Sequence, residues 1–203
     1  HSSHRRQRQM CIRDRYWWDV QALSADRLIK AVAEFGIDPL QLAQHLLVDV
    51  TLVMRRLASL DENQIPTPVG LVICDASGAL SYRKPVAGFA IPRFGAGCPV
   101  WPLYRTLSAP LQLFQTQMTY SGDQRLVYQS YAIAVPVTPS AYNQPPLLRA
   151  YMLIRPVALS KSDAKPRQQP ENEQHTRVGV SCRLCVEVSC AARREPSILA
   201  EGL

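Results

Sequence analysis

The sequence lacks several features that would define a membrane-bound, secreted or catalytic protein. No apolar run approaches the roughly 20 residues that span a bilayer. No segment has the order of a secretory signal, in which a basic stretch precedes an apolar one and then small residues. Metalloprotease, serine-hydrolase and P-loop motifs are absent, and the four histidines are scattered. These absences predict a cytoplasmic protein that is neither an enzyme nor associated with membranes.

Cysteine is used sparingly except at one place. The chain has six cysteines among 203 residues, and three of them, Cys182, Cys185 and Cys190, lie within nine positions. Without an export signal the expected compartment is reducing, and there clustered thiols hold a metal more often than they form disulfides.

The net charge of +7 is unevenly distributed. Residues 1–15 contain five arginines and one aspartate, hence +4 of the +7, which leaves +3 for the rest of the chain. The stretch has no apolar period, and its "MCIRDR" resembles translated sequencing adapter. We therefore expect residues 1–15, with His4 and Cys11, to carry no function and the reading frame to be truncated upstream. The alternative is a basic arm for nucleic acid.

Residues 20–60 are predicted to be helical. One helix covers residues 24–35 with Ser24 as its cap, a second begins at Asp38, and a third follows Asp49. Helices joined by "LVD" raise the alternative of a DNA-reading helix-turn-helix. We expect a packing role instead, since Leu47 replaces the usual turn glycine and the third helix offers for DNA contacts only Arg55 and Arg56.

Residues 66–159 change to a strand pattern. "GLVICD" and "ALSYRK" predict a hairpin, and "GFAIPRF" predicts a third strand. "CPVWPLYRTL" predicts a short helix beginning at Pro99, and three more strands follow. The expected class is α+β: a helical segment, then a mostly antiparallel sheet with one short helix, in an order like that of GAF- and PAS-type sensor domains.

The end of the chain is predicted to be a linker, residues 160–177, and a cysteine-rich tail, residues 178–203. Residues 160–176 contain no apolar side chain except one alanine, which is typical of a flexible tether. Such a tether allows the three tail thiols to return to the sheet domain and find a fourth ligand there.

We select Cys98 as the fourth ligand. It follows two glycines that allow close backbone approach, and it precedes the predicted short helix, whose N-terminus favours a thiolate. The other candidates are less suitable: Cys11 lies in the adapter-like stretch, Cys74 ends an apolar strand, and His175 lies in the tether.

The spacing leaves the metal open. Zinc ribbons supply two C-x2-C pairs, whereas this chain has one pair, a wider gap and one distant cysteine, which favours a [4Fe-4S] cluster over Zn²⁺. A zinc-stapled structural or interaction domain without a sensing role is the alternative, and free surface thiols are a third reading.

Two motifs carry a family resemblance. "RFGAGCPVWPLYRTL" and "VGVSCRLCVEVSCAARREP" resemble the C-terminal domain of the bacterial short-chain fatty-acyl regulators, an XRE-type transcription-factor family that includes propionate-metabolism regulators. The first motif is matched at Arg93, Phe94, Gly95, Cys98, Pro99 and Trp101. The second is matched at Cys182, Arg183, Cys185, Cys190 and Arg193.

The resemblance implies a transcriptional regulator whose sheet domain senses an acyl-CoA-type metabolite, with a [4Fe-4S] cluster on the four matched cysteines. DNA would be a partner only through a domain upstream of this chain, and a homodimer is compatible with the sequence. Arg93, Arg105 and Arg149 are candidate phosphate partners on grounds of charge alone.

Overall fold

The computed structural model describes residues 14–61, 63–121, 123–137, 142–157 and 175–199. The chain divides into two units, His1–Pro66 and Thr67–Leu203. Residues 1–13, with His4 and Cys11, and most of the predicted linker lie outside the described residues.

The described part of the first unit contains four helices: α1 covers residues 14–22, α2 Ala25–Phe35, α3 Pro39–Leu46 and α4 Val50–Ser59. The predicted caps Ser24 and Asp38 are confirmed, since each accepts a hydrogen bond from amides of the following turn. Asp49 caps α4 in the same way. These bonds satisfy donors that have no partner within the helix. Leu47 ends α3 with a φ of 55°, the left-handed conformation that glycine usually takes.

The two arginines of α4 are used inside the first unit. Arg55 donates to both carboxylate oxygens of Asp19, at 2.7 and 2.8 Å. Arg56 is buried and donates to the carbonyl of Leu23 at 2.8 Å. Both guanidinium groups are therefore engaged by α1 and the residue after it, which agrees with the expected packing role.

A six-stranded sheet forms the second unit. Its strands are β1 Gly70–Asp75, β2 Leu80–Lys84, β3 Phe114–Tyr120, β4 Asp123–Pro136, β5 Leu148–Pro156 and β6 Thr176–Val178. They lie in the order β2-β1-β5-β4-β3-β6, with β6 parallel to β3 and every other neighbouring pair antiparallel. The α+β class and the mostly antiparallel sheet are confirmed.

Between β2 and β3 one predicted strand was wrong, and the predicted short helix forms but begins later than expected. No strand forms over residues 88–94; Val86 and Phe89 make only an isolated bridge. Gly88 turns the chain with a φ of 77°, and Pro92 has no N–H for a ladder. The short helix α5 covers Pro102–Arg105, so that the second proline of "CPVWP" begins it and not Pro99.

One face of the sheet and α5 enclose an apolar cluster. Met152 of β5 lies opposite Ala132 of β4 and Val72 of β1, and all three are fully buried. Aromatic rings complete the cluster: the centroid of Phe89 lies 5.6 Å from that of Trp101 and 5.2 Å from that of Tyr128. The most buried side chains near the cysteine motif thus belong to the core of the sheet domain.

Candidate cysteine centre

The tail reaches the sheet through β6. This three-residue strand pairs in parallel with β3, and Val178 lies opposite Tyr120. The backbone amide and the hydroxyl of Ser121 both donate to the carbonyl of Val178, at 2.8 and 3.1 Å. Val178 is fully buried, so that the chain entering the tail is fixed to the sheet edge immediately before the first cysteine loop.

Trp101 connects the tail to the segment that carries Cys98. Its indole Nε1 donates to the carbonyl of Gly179 at 3.0 Å, and its ring is fully buried. The amide of Trp101 also donates to the carbonyl of Cys98 at 3.0 Å. One side chain therefore bridges two sequence segments that are 78 positions apart.

Gly95 and Gly97, which precede Cys98, are required for different structural reasons. Gly95 has a φ of 75°, which favours glycine. A Cβ at Gly97 would lie 2.3 Å from the ring of Trp101, so that no larger residue fits there without displacing the indole. The amide of Gly97 donates to the hydroxyl of Tyr104 at 2.8 Å. The predicted close approach is confirmed at Gly97, whereas a Cβ at Gly95 would meet nothing within 4 Å.

The surroundings of Cys98 differ from the expectation of a helix N-terminus. Cys98 lies four positions before the first residue of α5 and is buried. Burial raises the pKa of its thiol, while backbone hydrogen bonds from Gly179 and Val100 act in the opposite direction. The predicted position at a helix N-terminus was therefore wrong, and without a metal desolvation outweighs the amide donors in setting the pKa of this thiol.

Cys98 nevertheless interacts with two of the three tail thiols. Charges on Cys185 and Cys190 add to the burial effect that raises the pKa of Cys98. Burial likewise raises the pKa of Tyr120, and Cys185 and Cys98 add to that rise. Tyr120 thus lies within electrostatic range of one thiol from each motif. The start of the tail therefore lies near Cys98, while a centre shared by all four cysteines stays a prediction.

The three tail cysteines lie in tight turns. Cys182 begins a short 3₁₀ helix, Cys182–Leu184, and its carbonyl accepts from the amide of Cys185 at 3.4 Å. The Sγ of Cys182 accepts from the amide of Arg194 at 3.4 Å. All three are only partly buried. Their backbone geometry is ordered by local hydrogen bonds and not by apolar packing.

The described residues do not contain a preformed site for a single metal ion. No group of three or more His, Cys, Asp or Glu side chains in these ranges is close enough to bind one. A tetrahedral zinc with Zn–S bonds of about 2.3 Å needs sulfurs about 3.8 Å apart. The donor set is chemically suited to a metal, and its metal stays a prediction.

The other candidate ligands have structural roles. Cys74 is fully buried in β1, and burial together with the charge of Asp75 raises the pKa of its thiol to about 12. This agrees with its prediction as a small core residue. His175 Nε2 lies 2.7 Å from Oε1 of Gln117 on β3, next to β6.

The three candidate arginines lie on separate elements. Arg93 lies over the ring of Phe94, and Arg105 lies 4.7 Å from the ring centroid of Phe114. Arg149 of β5 is paired in register with Asp75; hydrogen bonds from Ser77 lower the pKa of Asp75, and Arg149 contributes to that shift. Their role towards a ligand stays a prediction.

Sequence reasoning missed two residues of this centre. Gly179 supplies both the acceptor for Trp101 and an amide for Cys98, and a Cβ there would lie 2.8 Å from Sγ of Cys185. Tyr120 approaches from β3. Gly179 precedes Cys182 by three positions in "VGVSC", and this closeness in sequence could have indicated its role. Nothing in the sequence indicated Tyr120.

The fold is shared with a solved regulator. The chain is similar to a Mycobacterium tuberculosis transcriptional regulator with a TM-score of 0.74, at 22% identity, covering 93% of this chain and 57% of that one. At this identity the likeness establishes the architecture alone. None of the helices within the described ranges is long and apolar enough to cross a membrane.

Sequence comparison identifies the family. Residues 60–201 match the model of the short-chain fatty acyl coenzyme A regulator, C-terminal domain, and the chain belongs to this family. It is also 25% identical over 180 residues to the propionyl-CoA carboxylase regulator of Cereibacter sphaeroides, covering 84% of this chain and 37% of that protein. The resemblance seen in the two cysteine motifs is confirmed. Membership of a regulator family also supports the expectation that the domain is not an enzyme.

Proposed function

We propose that this chain is the effector-sensing part of a transcriptional regulator. Its sheet domain binds a short-chain acyl-CoA-type metabolite, and Cys98, Cys182, Cys185 and Cys190 hold a [4Fe-4S] cluster. Family membership over residues 60–201 supports the regulatory role. The chain spans 37% of its curated relative, and DNA binding is accordingly assigned to a separate domain of a longer protein.

The return of the tail to Cys98 is the observation that carries the cluster proposal. β6 pairs with β3, Trp101 holds Gly179, and Cys98 interacts electrostatically with Cys185 and Cys190. A free tail would have more conformational entropy, so that holding it at this position needs compensating interactions. A shared inorganic centre gives a physical reason for it.

The cluster fits the donor set better than zinc does. Each thiolate of a [4Fe-4S] cluster binds a different iron, and four separated cysteines are its usual ligands. The spacing in this chain is one C-x2-C pair, a wider gap and one distant cysteine, which is unlike the two pairs of a zinc ribbon. The bound cluster would supply a redox-active, oxygen-sensitive centre, and these four residues would hold it.

The sheet supports the sensing half of the proposal. In the order β2-β1-β5-β4-β3, strand β5 lies between β1 and β4, and α5 packs on one face of the sheet. We compare this sheet and its helix with GAF- and PAS-type sensor domains. Binding is tested by titrating propionyl-CoA and coenzyme A into the protein by calorimetry. Saturable heat with the thioester and a weaker response to coenzyme A support the proposal; no heat with either contradicts it.

The cluster is tested by purification without oxygen. We expect a brown protein with a shoulder near about 400 nm and about four iron and four sulfide per chain. One zinc per chain in a colourless protein would instead favour the zinc-stapled domain, in which the metal only fastens the tail.

Cys98→Ala and Cys74→Ala form a matched pair, since both remove a buried thiol. We expect Cys98→Ala to lose at least about three quarters of the iron, because a ligand is lost. Cys74→Ala should keep the iron and lose about 1 kcal/mol of stability from its small cavity. Equal iron content in the two variants would contradict the ligand assignment.

A further inference from the structure

Arg193 contacts the backbone of all three tail cysteines. Its Nη1 donates to the carbonyls of Cys182 at 3.1 Å and Glu195 at 3.2 Å. Its Nη2 donates to the carbonyls of Cys185 at 3.4 Å and Glu187. Its own amide donates to the carbonyl of Cys190 at 3.1 Å. No other described residue is recorded with bonds to all three cysteines.

The number of donors matches the number of acceptors. The two terminal nitrogens of a guanidinium carry four N–H groups, and four carbonyls accept from them. Lysine has the same charge but only three donors on one atom, without the planar fork. Geometry and charge at this position can therefore be separated by one substitution.

These bonds replace the apolar packing that the tail lacks. Between Ser181 and Leu199 only Ser197 is buried, and several aliphatic side chains are exposed, such as Val188 at 76%. Hydrogen bonds to a charged donor are stronger than neutral ones. The carbonyls that Arg193 binds belong to the loops carrying the thiols, and the guanidinium thus controls where those loops lie.

We propose that Arg193 is the positioning residue of the cysteine centre: its guanidinium fork sets the loops of Cys182 and Cys185, and its amide sets Cys190, before any metal binds. The part concerning metal retention rests on the proposed function, whereas the part concerning loop order does not.

The experiment compares Arg193→Lys, Arg193→Ala and wild type, each full length, in two states. On metal-free reduced protein, hydrogen exchange is measured by mass spectrometry over residues 179–199. On protein purified without oxygen, iron per chain and the half-life of the absorbance near about 400 nm after exposure to air are measured. Circular dichroism verifies that the sheet remains folded.

The matched control is Arg183→Ala. Arg183 lies in the same tail, and its side chain makes only an exposed ion pair with Glu195 at 3.9 Å, a contact of little energetic value. We expect both Arg193 variants to exchange about tenfold faster or more over 179–199, since several charge-assisted bonds are lost, and to lose the absorbance at least about fivefold faster. Arg183→Ala should behave like wild type.

The outcomes separate the inference from the proposed function. Faster exchange in the Arg193 variants supports positioning even if wild type holds no iron, which would contradict only the cluster. If Arg193→Lys retains wild-type exchange, the fork is not what orders the loops and the inference is overturned. If both Arg193 variants retain wild-type exchange and iron, the inference fails while the cluster assignment stands.

Discussion

The sheet core and the cysteine tail of the second unit are held together by different forces. In the core, Met152, Ala132 and Val72 are fully buried, so that removal of apolar surface from water is the main stabilising term. In the tail the cysteines are only partly buried, and hydrogen bonds from Arg193 and Arg194 order the loops. A region of this second kind gains much from a bound metal, because it has little apolar burial of its own.

The largest effect is expected when the core itself is damaged. Met152→Ala should lower the free energy of unfolding by about 2–5 kcal/mol, because it leaves a cavity between β1 and β4. Urea unfolding followed by circular dichroism measures it. Leu147→Ala is the control: this side chain is 63% exposed and should change stability by less than about 0.5 kcal/mol. A loss below about 1 kcal/mol in Met152→Ala would mean that burial in the core is not the main contribution to the free energy of unfolding.

A change of pH distinguishes the core thiol from the tail. The pKa of Cys74 is raised to about 12, with Asp75 adding to the burial effect, and Tyr104 lies within its electrostatic range. The folded protein keeps this thiol protonated, whereas the unfolded chain loses the proton above about pH 8.5. Its contribution to stability is therefore constant below that pH and is lost as the pH rises towards 12.

We expect wild type to lose up to about 2 kcal/mol relative to Cys74→Ala between pH 8 and pH 10. Urea unfolding of both proteins at the two pH values measures the difference, and the tail thiols cancel because they are common to both. An unchanged difference would mean that Cys74 titrates normally in the fold.

The smallest stability effect is expected at the junction of the two regions. In Gly179→Ala the new Cβ would meet Sγ of Cys185 at 2.8 Å. This atom ends a rotatable side chain, but Cβ of Cys185 at 3.3 Å must also shift, and we expect a cost of about 1 kcal/mol. The displaced thiol would leave its place in the proposed centre, and we expect iron per chain to fall by about half or more.

Ser181→Ala, two residues further on, is the control, since the Ser181 side chain makes no capping bond. Iron content is measured beside urea stability. The ratio of iron lost to stability lost is compared between Gly179→Ala and Met152→Ala. Equal ratios would contradict the view that the core and the tail are stabilised separately.

The sequence by itself determined the local features. Ser24, Asp38 and Asp49 cap their helices because a capping side chain needs only the next three amides. The strands β1, β2, β3, β4 and β5 follow from alternation or a short apolar run bounded by turns. The two cysteine motifs identified the family, because they depend on residue types at fixed spacing.

Only the tertiary structure decided what depends on contacts distant in sequence. The pKa of Cys98 depends on burial by neighbours that its own segment does not specify. The parallel pairing of β6 with β3, the bond from Trp101 to Gly179 and the four carbonyls around Arg193 depend on how the chain returns after the tether. The reason is physical: caps and periodicity act within a few residues, whereas desolvation and long-range hydrogen bonds exist only once the chain has folded.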